Sequence, residues 1–225
     1  MGETIALTAG DGHKFGAYEE KPAGAVRGGL VVIQEIFGVN AHMRRVAGGY
    51  VADGYRVVAP AIFDRAERGV ELGYSKPEME RGVELRKQIS TDAMLRDIAA
   101  AIAALAGSGK IGIVGYCLGG SLAWLSAGRL PGLAAAIGYY GGTIAANLAE
   151  KPRCPVMLHF GENDGGIPMS DIEKIKRAVD PAKVQVFTYP GAGHAFNRDG
   201  TPAYHADSAK LARERTLAFL REHIG

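Results

Sequence analysis

The stretch VGYCLGGSLAWL, Val114 to Leu125, sets a cysteine among glycines, after a short apolar run and before a segment that reads as helix. Gly115, Tyr116, Cys117, Leu118 and Gly119 fit the pattern glycine-x-nucleophile-x-glycine, in which a strand turns sharply into a helix. The central residue of such an elbow is held in a strained backbone conformation. Side chains at the flanking positions would strike neighbouring backbone, which accounts for Gly115 and Gly119. The thiol of Cys117 is thereby pushed out beyond the strand. There the first helical amides and the helix dipole favour a thiolate, and the amide of Leu118 can hold an oxyanion.

On either side of the elbow, apolar runs alternate with amphipathic ones. The segments Ile5 to Thr8 and Phe15 to Glu19 predict a hairpin, and GGLVVIQE has the unbroken apolar run of a strand covered on both faces. Asn40 is placed to cap a helix, and RVVAP is another short buried strand. From Glu78 to Ala106 apolar residues recur at helical spacing, with Gly82 and Ser90 as points of interruption. KIGIVGY, GLAAAIGYYG, CPVMLHFGEND and KVQVFTYPGAGH then read as strands, separated or followed by helices in SLAWLSAGR, MSDIEKIKRAV and the last amphipathic segment. This alternation predicts an α/β fold, a mostly parallel central sheet with helices on both faces, built as a single domain over residues 1–225. Ligands in such sheets bind beyond the carboxyl ends of the strands.

Strand ends are therefore where the partners of a nucleophile belong. VMLHFGEND runs into Asp164 and VQVFTYPGAGH into His194, so nucleophile, acid and histidine follow one another in the order used by α/β-hydrolases. Glu162 is a neighbouring acid, but the triad order favours Asp164. Glu35 closes the apolar run LVVIQE, and the loop after that strand is where this fold takes its second oxyanion amide, here that of Ile36. From the residues alone, Glu35 could equally cap a helix or pair with an arginine. His159 reads as a hydrogen-bonded strand histidine and Cys154 as a core residue.

Four motifs, QEIFG, GYCLGG, GENDGGIP and GAGHAFNR, resemble those of the dienelactone hydrolase family, in this order and across nearly the whole chain. That family has an α/β-hydrolase fold and opens the ring ester of dienelactone (4-carboxymethylenebut-2-en-4-olide) to maleylacetate in chloroaromatic degradation. The resemblance implies that Cys117 is the nucleophile, His194 the base, Asp164 its orienting acid and Glu35 the partner of the resting thiol. It also implies two arginines on the substrate carboxylate. Arg198 matches one. For the other, Arg81 and Arg86 compete in the segment GYSKPEMERGVELRKQ, so the substrate is less well defined than the mechanism. A carboxylesterase or lactonase of the same fold acting on another small ester is the alternative, and a non-catalytic redox-responsive or ligand-binding protein is the alternative of another class.

Composition restricts the partners. Hydrophobic residues make up 47% and charged residues 22% of the 225, and the net charge of +2 comes from interspersed acids and bases. No basic run would track a phosphate backbone, so nucleic acid is not expected. The opening MGETIALTAGDGHKF lacks a basic start followed by an apolar core, and no apolar run would span a bilayer, as expected of a cytoplasmic protein without membrane contact. Two cysteines make no disulfide framework, and no His or Cys spacing suggests a metal. GSGKIG, Gly107 to Gly112, matches a dinucleotide loop literally but precedes a strand instead of following one. A cofactor-free monomer acting on a small lactone or ester is the expectation.

Overall fold

A computed structural model describes residues 2–225. The chain divides into two compact units, Met1–Ile111 and Gly112–Gly225. In the first, β1 (Glu3–Thr8) and β2 (Lys14–Glu20) form the expected antiparallel hairpin. β2 then pairs antiparallel with β4 (Tyr55–Pro60), which runs parallel to β3 (Gly28–Ile33). In the eight-stranded sheet the strands of this unit lie in the order β1-β2-β4-β3. Every residue of β3 is buried, as its unbroken apolar run requires, whereas the edge strand β1 is half exposed.

Three helices complete this unit: α1 (Ala41–Ala52), α2 (Lys76–Lys87) and α3 (Thr91–Ala104). Asn40 caps α1 by accepting a hydrogen bond from the amide of Met43. Ser75 and Glu78 form a reciprocal capping box at the start of α2. The long helical run of the sequence is broken at Ser90, which caps α3, while Gly82 sits inside α2 without interrupting it.

In the second unit the strands lie in the order β5-β6-β7-β8. They are β5 (Ile111–Tyr116), β6 (Leu133–Tyr139), β7 (Val156–Gly161) and β8 (Val184–Tyr189), with β6, β7 and β8 parallel. The helices are α4 (Leu118–Arg129), α5 (Met169–Ala178) and α6 (Ala206–His223). Trp124, Ile137, Leu158, Phe160 and Leu220 are among its buried side chains. Each of the isoleucine, leucine and phenylalanine side chains contributes about 1.5–3 kcal/mol relative to exposure.

His159 is a strand histidine satisfied on both nitrogens. Its Nδ1 lies 2.8 Å from the Tyr189 hydroxyl and its Nε2 3.1 Å from Thr216 Oγ1, which in turn meets the Tyr139 hydroxyl at 2.7 Å. Burial, with the nearby Arg215 charge, pulls its pKa down to about 3, so the ring is neutral. No helix among the described residues is long and apolar enough to cross a membrane.

Candidate active site

Cys117 stands between the end of β5 and the first turn of α4 with φ 55° and ψ −111°, at a positive φ that few non-glycine residues adopt. Its amide donates to the carbonyl of Tyr139 at 3.0 Å, and its carbonyl accepts from Ser121 at 3.2 Å. The glycines around it are required by contact. A Cβ on Gly115 would lie 1.9 Å from the Gly119 carbonyl oxygen, and one on Gly120 would lie 2.3 Å from that of Tyr139. The steric need expected from the sequence at Gly115 thus extends to Gly120, which lets α4 rest on β6. Leu118 opens α4, where the first amides have no intrahelical acceptor.

The acid and histidine loops are joined through their backbones. The amide of Glu162 donates to Tyr189 at 3.1 Å and that of Asn163 to Ala192 at 2.9 Å. Asp164 is buried, and its two carboxylate oxygens have separate tasks. One accepts the amide of Gly166 at 2.8 Å, which fixes the carboxylate, and the other accepts from Nδ1 of His194 at 2.7 Å. Asp164, and not Glu162, is therefore the acid on the imidazole.

Cys117 is near enough to act on the same ring. Burial opposes protonation of the His194 imidazole, but the hydrogen bonds and negative charges of Asp164 and Cys117 outweigh burial and raise its pKa to about 10. An imidazolium at neutral pH is a natural counter-ion for a thiolate. Cys117, His194 and Asp164 are thus brought together, with His194 Nδ1 bonded to the carboxylate.

Tyr140 was not singled out in the sequence. It follows β6 with φ 39°, is fully buried, and packs its ring 5.1 Å from the His194 imidazole and 5.5 Å from the phenyl ring of Phe196. The doubled tyrosine at the end of an apolar strand was the available signal. Arg198, half-buried, lies in the same loop as His194, its amide donating to Ala195 at 2.8 Å. Cys154 is buried, and burial pushes its thiol up to about 11.

The first unit carries the remaining candidates. β3 stops at Ile33, two residues before Glu35, so Glu35 follows the strand where the sequence reading had it end the strand; its side chain is buried. Ile36 is next, half-buried, with its carbonyl against α2. Arg81 is ion-paired with Glu67 and, at 3.7 Å, with Glu84. Arg86 turns to the junction between α2 and α3, donating to the Ile89 carbonyl at 2.9 Å and to Thr91 Oγ1 at 3.3 Å. Among the described residues, no group of three His, Cys, Asp or Glu side chains is arranged to hold a metal.

Comparison with known proteins gives the family of the chain. The model of the dienelactone hydrolase family matches residues 15–224. Carboxymethylenebutenolidase of Pseudomonas putida is 36% identical over 226 residues, covering 97% of this chain and 95% of the relative. The structure of a proposed dienelactone hydrolase from Klebsiella pneumoniae subsp. pneumoniae superposes with a TM-score of 0.83 at 27% identity, covering 98% of this chain and all of the other. That of a dienelactone hydrolase from Anabaena variabilis, with a TM-score of 0.73 at 15% identity over 100% of this chain and 99% of the other, shares the fold. Matched over most of its length by the family model and by a relative of this identity, the chain is an α/β-hydrolase that acts on a lactone or ester, and it belongs to the dienelactone hydrolase family.

Proposed function

We propose that the protein hydrolyses a small lactone or ester through a thioester on Cys117. The observation that carries this reading is the strained elbow residue Cys117 beside His194, whose Nδ1 donates to buried Asp164 at 2.7 Å. When substrate enters, Glu35 takes the thiol proton. The thiolate then attacks the carbonyl carbon, forming the carbon–sulfur bond, while the amides of Leu118 and Ile36 receive the oxyanion. As the tetrahedral intermediate collapses, the carbon–oxygen bond of the ester breaks and the His194 imidazolium protonates the leaving oxygen.

Neutral His194, held by Asp164, next removes a proton from water. The hydroxide attacks the thioester, the acid is released, and the thiolate and imidazolium are restored. Glu35 returns its proton to sulfur when the site empties. Dienelactone is the first substrate to test, since the Pseudomonas relatives bear the name carboxymethylenebutenolidase. A lactonase or carboxylesterase acting on another ester is favoured by one observation, the pairing of Arg81 with Glu67 and Glu84. The protein is read as a cytoplasmic monomer without cofactor.

The test is the loss of ultraviolet absorbance of cis- and trans-dienelactone, and the release of p-nitrophenol from p-nitrophenyl acetate, with wild type and Cys117→Ala. Cleavage of either substrate by the wild type alone supports the nucleophile. Equal cleavage by the folded variant removes Cys117 from that role, and absence of any turnover by the wild type favours a non-catalytic thiol protein.

A further inference from the structure

One buried titratable side chain of the second unit has no part in the proton transfers. His159, the fourth residue of β7, carries the Tyr189 and Thr216 hydroxyls on its two ring nitrogens, and the Tyr139 hydroxyl lies beyond Thr216. These four residues come from β7, β8, α6 and β6. All are 2% exposed or less, so a polar atom that lost its partner would be stranded away from water. Apolar side chains of the same shape would fill the space without that cost.

The backbones of the same residues carry the site. The carbonyl of Tyr139 accepts the amide of Cys117 at 3.0 Å. That of Tyr189 accepts the amides of Glu162 at 3.1 Å and Ala192 at 3.3 Å, at the roots of the loops that bear Asp164 and His194. The carbonyl of His159 accepts at 2.8 Å the amide of Tyr140, whose ring lies 5.1 Å from the His194 imidazole. Three residues that share one side-chain network thus hold the segments of Cys117, Asp164 and His194.

Tyr139 and Tyr189 are the last residues of β6 and β8. β8 lies at the edge of the sheet, with β7 as its neighbour, and the end of an edge strand opens more readily than the interior. The bond between the Tyr189 hydroxyl and His159 ties that end to β7, and Thr216 ties both to α6. A neutral imidazole has one N–H and one lone pair, so each hydroxyl on it has one complementary role. A displaced strand end breaks a bond that water does not replace, whereas apolar packing has no such directional preference.

We infer that the network of Tyr189, His159, Thr216 and Tyr139 is a positioning device for the reaction, which fixes the ends of β6 and β8 and so keeps the Cys117, Asp164 and His194 segments in mutual register. His159 is its central positioning residue. The inference rests on the reading of Cys117, His194 and Asp164 as the reacting groups.

The test uses Thr216→Val, which keeps the shape of the side chain and removes its hydroxyl, Thr216→Ser, which keeps the hydroxyl, and Tyr189→Phe. Turnover of p-nitrophenyl acetate is measured well below the Tm of each variant, together with the ring-nitrogen chemical shifts of His194, read through its carbon-bound protons. Thr216→Val and Tyr189→Phe are expected to lower kcat by about tenfold with KM within about twofold of wild type, because misplaced reacting groups lose rate before they lose binding. Both should also move the Nδ1 resonance that reports the bond to Asp164, and Thr216→Ser should restore the rate and the resonance. If Thr216→Val does not fold, Tyr189→Phe, which keeps its ring and carbonyl, decides. A lower Tm with kcat and the nitrogen shifts of the folded variants unmoved is the mark of a merely structural network and overturns the inference. A Thr216→Ser variant as slow as Thr216→Val traces the loss to packing and overturns it as well. Turnover that survives in Cys117→Ala, or its absence in the wild type, refutes the reading of the site alone, because the His194 shifts still judge the network.

Discussion

Replacing Asp164 by asparagine keeps the size of the side chain and removes the charge that faces His194. In the wild type, burial works against the imidazolium, but hydrogen bonds and charges from Asp164 and Cys117 raise its pKa from 6.5 to about 10. At about 1.4 kcal/mol per unit, a rise of that size corresponds to roughly 5 kcal/mol of preference for the charged ring. The His194 side chain is 37% exposed, so solvent screens a good part of it, and Cys117 shares the remainder. The portion belonging to Asp164 comes to about 1–2 kcal/mol, or a fall of about one pKa unit in the variant.

Proton NMR of the His194 ring across a pH titration measures this directly, and kcat is expected to fall by about 10²- to 10⁴-fold. The sign of the stability effect also follows. The folded pKa is raised, so the stabilisation is fully present below the unfolded pKa of about 6.5 and is lost as pH rises through about 10. The difference in Tm between wild type and Asp164→Asn should therefore be largest near pH 6 and fade toward pH 10. An unshifted ring titration, or a Tm difference that grows with pH, would refute the pairing.

Three further outcomes are expected. Iodoacetamide near neutral pH should modify Cys117 and spare Cys154, whose thiol is buried and raised to about 11; peptide mass mapping that finds Cys154 modified as fast as Cys117 contradicts the assignment. Gly82→Ala should lower stability by about 1–3 kcal/mol, despite alanine's better helix propensity, because the added methyl is driven against the Ile36 carbonyl; an unchanged or raised denaturation midpoint would show that α2 moves away freely. His159, buried and depressed to about 3, binds a proton more weakly when folded than unfolded, so its share of stability is present above about pH 6.5 and is lost as pH falls toward 3; His159→Gln should flatten that part of the stability curve, as read from chemical denaturation at several pH values.

Much of the site could be read along the chain because its chemistry is local to strand ends. The elbow is a property of five consecutive residues, since only glycine fits where the backbone of Gly115 meets that of Gly119 and Gly120. The order of Cys117, Asp164 and His194 is likewise a one-dimensional fact, and each follows an apolar strand. Hydrophobic periodicity also determined the strands and helices, with Asn40 as a cap and Ser90 as a break, because side chains that must be buried on one face leave a period in the sequence.

What required the tertiary structure were the contacts made at long sequence separation. Nothing in GENDGG says that one oxygen of Asp164 is held by Gly166 while the other meets an imidazole thirty residues away. The ring of Tyr140 beside His194 depends on a strained residue after β6, whose side-chain direction no periodicity encodes. The role of Gly82 depends on where α2 lands on the loop after β3, and the engagement of Arg81 depends on Glu67, fourteen residues earlier. Sequence determines which groups are available and which strand ends carry them. Packing decides which charges are already paired and which apolar side chains remain exposed, because both depend on distances that only the folded chain defines.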